Sequence, residues 1–187
     1  MRIVVFDFDG TLSYKDSMKE LFNEQMSGWR KVYRIYYYLL KVLAKLKITS
    51  VKFEKEQMLK LLFHSDLEEF ANSSREQAKR FPLNPLFAKV QEHIEKDERV
   101  IVLSASSMYF LETIFEGMKV KLVGTTLKTS NGRILGIDRH PFFYEKIKCL
   151  KQMGIEQVDE MYYDSKWDEV LIPMCKVSHK VENGQIL

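Results

Sequence analysis

Two aspartates one residue apart, Asp7 and Asp9, follow the apolar run Ile3-Val4-Val5-Phe6 and lead into Gly10-Thr11-Leu12. The run is β-branched or aromatic and ends at a turn signal, so it reads as a buried parallel strand whose carboxyl end delivers Asp7 into a crevice. Side chains alternate along extended backbone, which puts Asp7 and Asp9 on one face and Phe8 on the other. Carboxylates that close repel unless a cation lies between them or one holds a proton. The first arrangement is a Mg²⁺ site and the second an acid/base pair, and both serve phosphoryl transfer. Further along, Val100-Ile101-Val102-Leu103 ends at Ser104, a hydroxyl able to bind a phosphate oxygen. Met161-Tyr162-Tyr163 ends at Asp164-Ser165-Lys166-Trp167-Asp168. Its two carboxylates are four residues apart, a spacing that puts both on one face as a helix begins. A transferred phosphoryl group also needs a cation, and Lys146 and Lys148 are the candidates. Two residues apart on a helix, they cannot both face the site.

The elements that must hold these groups follow from periodicity. After Leu12 the pattern turns helical through Ser17 to Met26, Trp29 to Lys47, Val51 to Phe63 and Leu67 to Arg80. Phe81-Pro82-Leu83-Asn84-Pro85 breaks it and marks a subdomain boundary. Beyond that break, strand and helix signals alternate: a helix over 86–96, a strand over Arg99 to Leu103, a helix from Ser106 with a serine cap, and a strand over Val120 to Val123. A helix over Phe142 to Met153 then leads to a strand over Glu160 to Tyr163. Such alternation predicts a parallel sheet covered by helices. Ser130-Asn131-Gly132 and Glu182-Asn183-Gly184 are hairpin signals.

At 187 residues the chain has room for one core and a small subdomain. With 45% hydrophobic and 29% charged residues it reads as an ordinary globular chain, and a net charge of +3 is too small to imply nucleic acid. Cys149 and Cys175 have no metal-ligand spacing, and His64, His93, His140 and His179 are scattered. Neither a zinc site nor a disulfide framework is expected, and a reducing cytoplasm fits best. The leading apolar run is too short for a signal peptide, and no stretch approaches ~18 uninterrupted apolar residues. A monomer with no membrane span is the expectation.

Asp7-Phe8-Asp9-Gly10-Thr11-Leu12, Ser104-Ala105-Ser106, Lys146 and Asp164-x-x-x-Asp168, in that order and at those element boundaries, resemble the four motifs of the haloacid dehalogenase superfamily of phosphohydrolases. The form is that of subfamily IB, the phosphoserine phosphatase-like branch. The branch pattern selects Lys146 over Lys148, since Leu150 follows it by four residues. The resemblance implies a Rossmann-like, doubly wound parallel α/β sheet from residues 1–12 and 82–187, with an α-helical C1 cap inserted at 13–81. It further implies Asp7 as nucleophile forming an aspartyl-phosphate, and Asp9 as acid and then base. Mg²⁺ would be held by the Asp7 carboxylate, the Asp9 backbone carbonyl and Asp164, with Asp168 orienting from behind and Thr11, Ser104 and Lys146 on the phosphoryl oxygens. Dehalogenation is not expected, because it uses neither Asp9 nor the metal pair. In two places the chain departs from the pattern: a glycine usual just upstream of Lys146 is absent, and Tyr163 stands where many relatives have glycine, which would narrow the pocket.

Substrate choice must lie in the insert, since the core binds what all phosphomonoesters share. Where phosphoserine phosphatases carry a glutamate for the substrate amine, the matching offset here is Asp16, one methylene shorter. Residues 29–47 contain six basic residues, no acidic ones and five aromatics. Arg30, Arg34, Lys41 and Lys45 form a basic stripe beside a broad apolar face. Such a helix either packs its apolar face within the cap or lies in a membrane interface with tyrosines at headgroup level. The stripe and the Tyr-Tyr-Asp-Ser-x-x-Asp run are also similar to bacterial phosphatidylglycerophosphate phosphatases. The expected substrate is therefore a small phosphorylated metabolite or a phospholipid headgroup, hydrolysed in the cytoplasm or at the inner face of the membrane. The competing class is a regulatory or membrane-docking module that binds phosphate without turnover.

Overall fold

Val4, Val5 and Phe6 of the first strand are buried, on both of its faces, because helices cover the sheet from both sides. The computed structural model describes all 187 residues. Strand β1 (Ile3–Phe6) leads into four helices, α1 (Ser17–Gln25), α2 (Tyr33–Lys45), α3 (Val51–Phe63) and α4 (Leu67–Lys79). After them come α5 (Phe87–Glu95), β2 (Arg99–Ser107), α6 (Met108–Ile114), β3 (Lys121–Thr125), β4 (Leu127–Ser130) and β5 (Arg133–Ile137). The chain closes with α7 (Tyr144–Gln152), β6 (Val158–Tyr163), β7 (Cys175–Glu182) and β8 (Gln185–Ile186). The main sheet runs in the order β3-β2-β1-β6-β7-β8, with all neighbours parallel except the terminal pair β7-β8. From β1 the chain builds outward through β2 and β3, then returns to β1's other side with β6 and β7. The point of reversal lies between β1 and β6, where open α/β sheets form their ligand crevice.

Strand alternation divides β1 between two cores. Val4 and Phe6, with Phe8, pack against Phe110, Phe115 and Tyr162, while Val5 joins Ile101, Leu103, Leu150 and Met161 on the opposite face. A third core belongs to the insert, where Met18, Leu21, Phe22, Met58, Leu62, Phe63 and Phe70 meet. Helices α1, α3 and α4 of this layer start where the side chains of Asp16, Ser50 and Asp66 accept the backbone N–H groups of Lys19, Phe53 and Glu69. The hairpin β4–β5 turns through Asn131 and Gly132, both at positive φ as a two-residue hairpin turn requires. Its inner residues Ile134 and Ile137 pack into the insert's core. The hairpin is also stitched there by polar bonds, with Leu67 N–H on Gly132 O at 3.0 Å, Ile134 N–H on Ser65 O at 2.7 Å and Ile137 N–H on the Glu56 carboxylate at 2.8 Å.

Two elements differ from expectation. The helix expected over Trp29 to Lys47 is split, because Gly28 turns the chain at φ +56 and a 3₁₀ segment (Gly28–Val32) precedes α2. The helix expected from Ser106 begins at Met108, because β2 runs on past Leu103 through a register shift that pairs Ser107 with Thr125. No helix is long and apolar enough to cross a membrane.

The chain leaves the sheet after Thr11 and returns to it at Asn84. The buried Asn84 side chain donates to Thr11 O at 2.8 Å and Ser13 O at 3.3 Å, and accepts Leu86 N–H at 3.0 Å. It clamps the two connections of the insert side by side. Asn84→Ala leaves those buried groups unpaired and should cost about 2 kcal/mol, read as a lower urea midpoint with an unchanged slope.

Candidate active site

Asp7 continues the ladder between β1 and β6, its N–H donating to Tyr162 O at 3.0 Å, so its side chain emerges at the point of reversal. Asp164 follows β6, and Asp168 comes four residues later, at the start of a 3₁₀ segment (Glu169–Met174). The intervening residues form a turn rather than the first turn of an α-helix, because Ser165 O accepts Asp168 N–H and Ser165 Oγ donates to Asp168. The carboxylates of Asp7, Asp164 and Asp168 nonetheless converge to within 4.8 Å of one another. Lys146, buried on α7, donates to Asp7 Oδ1 at 2.6 Å and to Asp168 Oδ1. Lys148 stands on the outside of the same helix, paired with Glu145 at 2.8 Å. Just upstream, where a glycine is absent, Phe143 holds a φ of +52, a conformation costing a bulky residue on the order of 1–3 kcal/mol. Its ring packs edge-on against Trp167.

One ammonium among three carboxylates leaves two negative charges in excess when all are ionised. Burial pushes the Asp7 carboxyl well above its usual range, opposed by Lys146 and reinforced by Asp168 and Asp164. Burial, with Asp168 adding to it, pushes Asp164 up to about 6. Burial works against charge on Lys146 too, but the attraction of Asp7 and Asp168 outweighs it and holds the ammonium above its ordinary range. Close-set hard oxygen donors with surplus negative charge fit Mg²⁺. Gly10 permits this closeness: at φ +80, a Cβ there would lie 2.2 Å from Asp164 Oδ2. The Asp9 side chain lies outside the carboxylate cluster, so Asp168 takes the third place and only the Asp9 backbone carbonyl is left as that residue's contribution to a metal.

The Asp9 carboxylate instead accepts Ser17 N–H at 2.8 Å and Ser106 Oγ–H at 3.0 Å. Burial, followed by the Asp16 charge, pushes it up to about 7 against the hydrogen bonds that favour its ionised form. It can therefore give and take a proton near neutral pH. Ser104 Oγ is 3.0 Å from Ser106 Oγ and accepts the Ser106 N–H. Ser106 is a site residue that the sequence reading missed, although its two-residue spacing from Ser104 would place both on one face.

Three further residues singled out in the sequence take these places in the fold. Thr11 is fully buried, its hydroxyl has no partner and it does not line the cleft, because the turn after Gly10 folds Thr11, Leu12 and Ser13 N–H groups back onto Phe8 O. Tyr163 does not narrow the pocket; alternation along β6 turns its ring into the core with Leu150 and Leu171. Asp16 does line the cleft, but one of its oxygens is engaged in capping α1 through Lys19 N–H. None of the four histidines lines the cleft.

The cleft holds about 490 Å³, with the carboxylates, Ser104 and Lys146 on its floor and the insert opposite. From the insert come Lys15, Lys19, Lys41 and Lys55, beside Asp16 and Glu54. Lys55 is the most enclosed of these; burial lowers its pKa, and its Nζ reaches Ala105 O at 3.4 Å. A signal for it existed in the chain, since Lys55 occupies the same helical stripe as Met58, Leu59 and Leu62.

The family model of haloacid dehalogenase-like hydrolases matches residues 4–165. No curated protein sequence matches the chain. Among solved structures, a protein of unknown function from Bordetella pertussis Tohama I is 21% identical with a TM-score of 0.75, over 92% of this chain and 86% of that one. Phosphoserine phosphatase from T. onnurineus is 17% identical with a TM-score of 0.61, over 98% and 86%. A phospho-aspartyl intermediate analogue of phosphoserine phosphatase is 17% identical with a TM-score of 0.62, over 96% and 85%. At these identities the likeness is one of fold.

Replacing Lys146 by Met removes the only ammonium bonded to Asp7 and Asp168. The expected loss of stability at pH 7 in metal-free buffer is about 3 kcal/mol. Carboxylates left with raised folded-state pKa values destabilise above their unfolded pKa and recover by taking protons, so the deficit should shrink as pH falls toward 5. Thermal unfolding of both proteins across that range checks both statements.

Proposed function

The chain belongs to the haloacid dehalogenase-like hydrolases, and on that footing we propose that it hydrolyses phosphomonoesters with Asp7 as the nucleophile. The observation that carries the reading is Asp7 held by Lys146 inside a carboxylate cluster, next to an Asp9 carboxylate that Ser17 and Ser106 hold apart from it. Lys146 occupies Asp7 Oδ1, which leaves Oδ2 to attack phosphorus in line. As the ester P–O bond breaks, protonated Asp9 gives its proton to the leaving oxygen. The Asp9 carboxylate then takes a proton from a water that attacks the phosphorus of the aspartyl-phosphate, releasing phosphate and restoring Asp7. Ser17 and Ser106 keep Asp9 oriented for both transfers, and Ser104 and Lys146 stand where phosphoryl oxygens would lie. Mg²⁺, when bound through the Asp7 and Asp164 carboxylates and the Asp9 carbonyl, supplies the positive charge that a transferring phosphoryl group demands.

The insert sets the leaving group. Four lysines against two carboxylates give the roof of the cleft a net positive lining, which favours a leaving group bearing negative charge beyond the ester itself. Phosphoserine is a weaker fit, since Asp16 is short and already engaged at the start of α1. A small anionic metabolite or a phospholipid headgroup satisfies this lining.

Phosphate release from phosphoserine, sugar phosphates, nucleotides and phosphatidylglycerophosphate, with Mg²⁺ or EDTA, tests the reading. Release should need Mg²⁺, vanish in Asp7→Asn and fall on the order of 10²- to 10⁴-fold in Asp9→Asn. Binding of phosphate with no release from any member would instead mark a module without turnover. Lys55→Met should raise KM on the order of tenfold for substrates with an anionic leaving group and leave kcat nearly unchanged, as the loss of one charged hydrogen bond would.

A further inference from the structure

Helix α2 is apolar on two opposite sides. Its inner side packs Tyr37 and Leu40 into the insert. On the far side Val32, Ile35, Leu39, Val42 and Leu46 recur at helical spacings of three and four, and all are exposed; Ile35 keeps 74% and Leu46 63% of its surface. Trp29, in the preceding 3₁₀ segment, is 72% exposed. Between α2 and α3 a shallow apolar groove continues the stripe through Tyr36 and Leu61, with Lys60 on its rim. Burying the inner side within the cap thus leaves a second apolar stripe with no partner.

We propose that this face docks on an anionic lipid surface. Charge selects the occupant, for residues 29–47 carry no anion, and Lys31, Arg34, Lys45 and Lys47 are exposed there while Arg30 and Lys41 turn inward. A second copy of the chain would set these cations against their own kind, whereas a bilayer with anionic headgroups complements them and accepts the stripe between them. Arg34 and Lys45 flank the stripe on one side, and Trp29, Tyr36 and Tyr38 present rings suited to headgroup depth. The mode is peripheral, since no helix can span the membrane. Tyr37 and Lys41, on the inner side of α2, line the cleft, so one helix diameter, about 10 Å, separates the docking face from the site. The docking face rests on the exposed surface alone. That a lipid headgroup is then the favoured substrate rests on the phosphatase reading.

Cosedimentation of the full chain with phosphatidylcholine vesicles, with and without about 30 mol% phosphatidylglycerol, tests the proposal. Binding should require the anionic lipid and weaken as salt rises from about 0.1 M to about 1 M. Arg34→Gln/Lys45→Gln should lower affinity on the order of 30-fold. Ile35→Ser/Leu39→Ser should lower it at least about tenfold. Both variants should keep wild-type circular dichroism and wild-type turnover of any soluble phosphomonoester that the enzyme accepts. Absent binding, equal binding to neutral vesicles, or a dimer at sedimentation equilibrium that Ile35→Ser/Leu39→Ser dissociates would each overturn it. Vesicle binding without any turnover would leave docking standing and remove the phosphatase reading; turnover without vesicle binding would do the reverse.

Discussion

Two buried carboxylates, Asp7 and Asp168, and the half-buried Asp164 gathered beside one ammonium are the constraint to which the rest of this structure answers. Left alone in a low-dielectric pocket they would protonate or push apart, and the fold meets that cost by several means. Lys146 is carried by α7, which packs over β1 and β6, to bond two of the three. Ser165 adds a hydroxyl to Asp168. Gly10 removes the Cβ that would otherwise keep Asp164 away from the Asp9-Gly10 turn. These arrangements work only because β1 is central, so that residues following β1 and β6 meet at the same crevice.

Asp9 shows how a similar carboxyl two residues along the chain acquires different chemistry. It receives no ammonium, but a helix N-terminal N–H from Ser17 and a hydroxyl from Ser106. The first group is thereby tied to a cation, while burial pushes the second up to about 7, the separation that the proposed nucleophile and acid/base pair would need. The insert takes part in both functions. Its first helix holds Asp9 through Ser17, and its third carries Lys55 into the roof of the cleft. The hairpin β4–β5, bonded to the insert at Ser65, Leu67 and Glu56, lies between β3 and α7 in sequence and joins the insert in space.

The fold was readable where local pattern and tertiary demand agree. Helix α3 and the turn at Asn131-Gly132 stand where the spacing puts them, because stripe and turn residues there act within a few positions of each other. Reading failed where distant partners decide. The extension of β2 to Ser107 depends on its pairing with β3, and the inward turn of Thr11 depends on how the loop folds back over Phe8. Lys55 escaped notice because a lysine on a helix is ordinarily solvated, and only the opposing wall of the cleft makes this one half-buried. The two-sided character of α2 was half visible: the cations and apolar residues could be counted, but which stripe faces inward is a matter of packing.

The sequence by itself determined which chemistry is available, through Asp7 and Asp9 at a strand end, the later Asp164 and Asp168, and a lysine with the spacing of Lys146. Each of these signals spans only a few residues, and backbone periodicity sets where such side chains point. Only the tertiary structure decided that Asp168 rather than the Asp9 side chain joins Asp7 and Asp164, that Ser106 and Ser17 orient Asp9, and that the outer stripe of α2 stays uncovered. Those facts depend on which surfaces meet across strands and helices far apart in the chain. Burial, and with it the charge state of each carboxyl, is set by that meeting and not by neighbours in sequence.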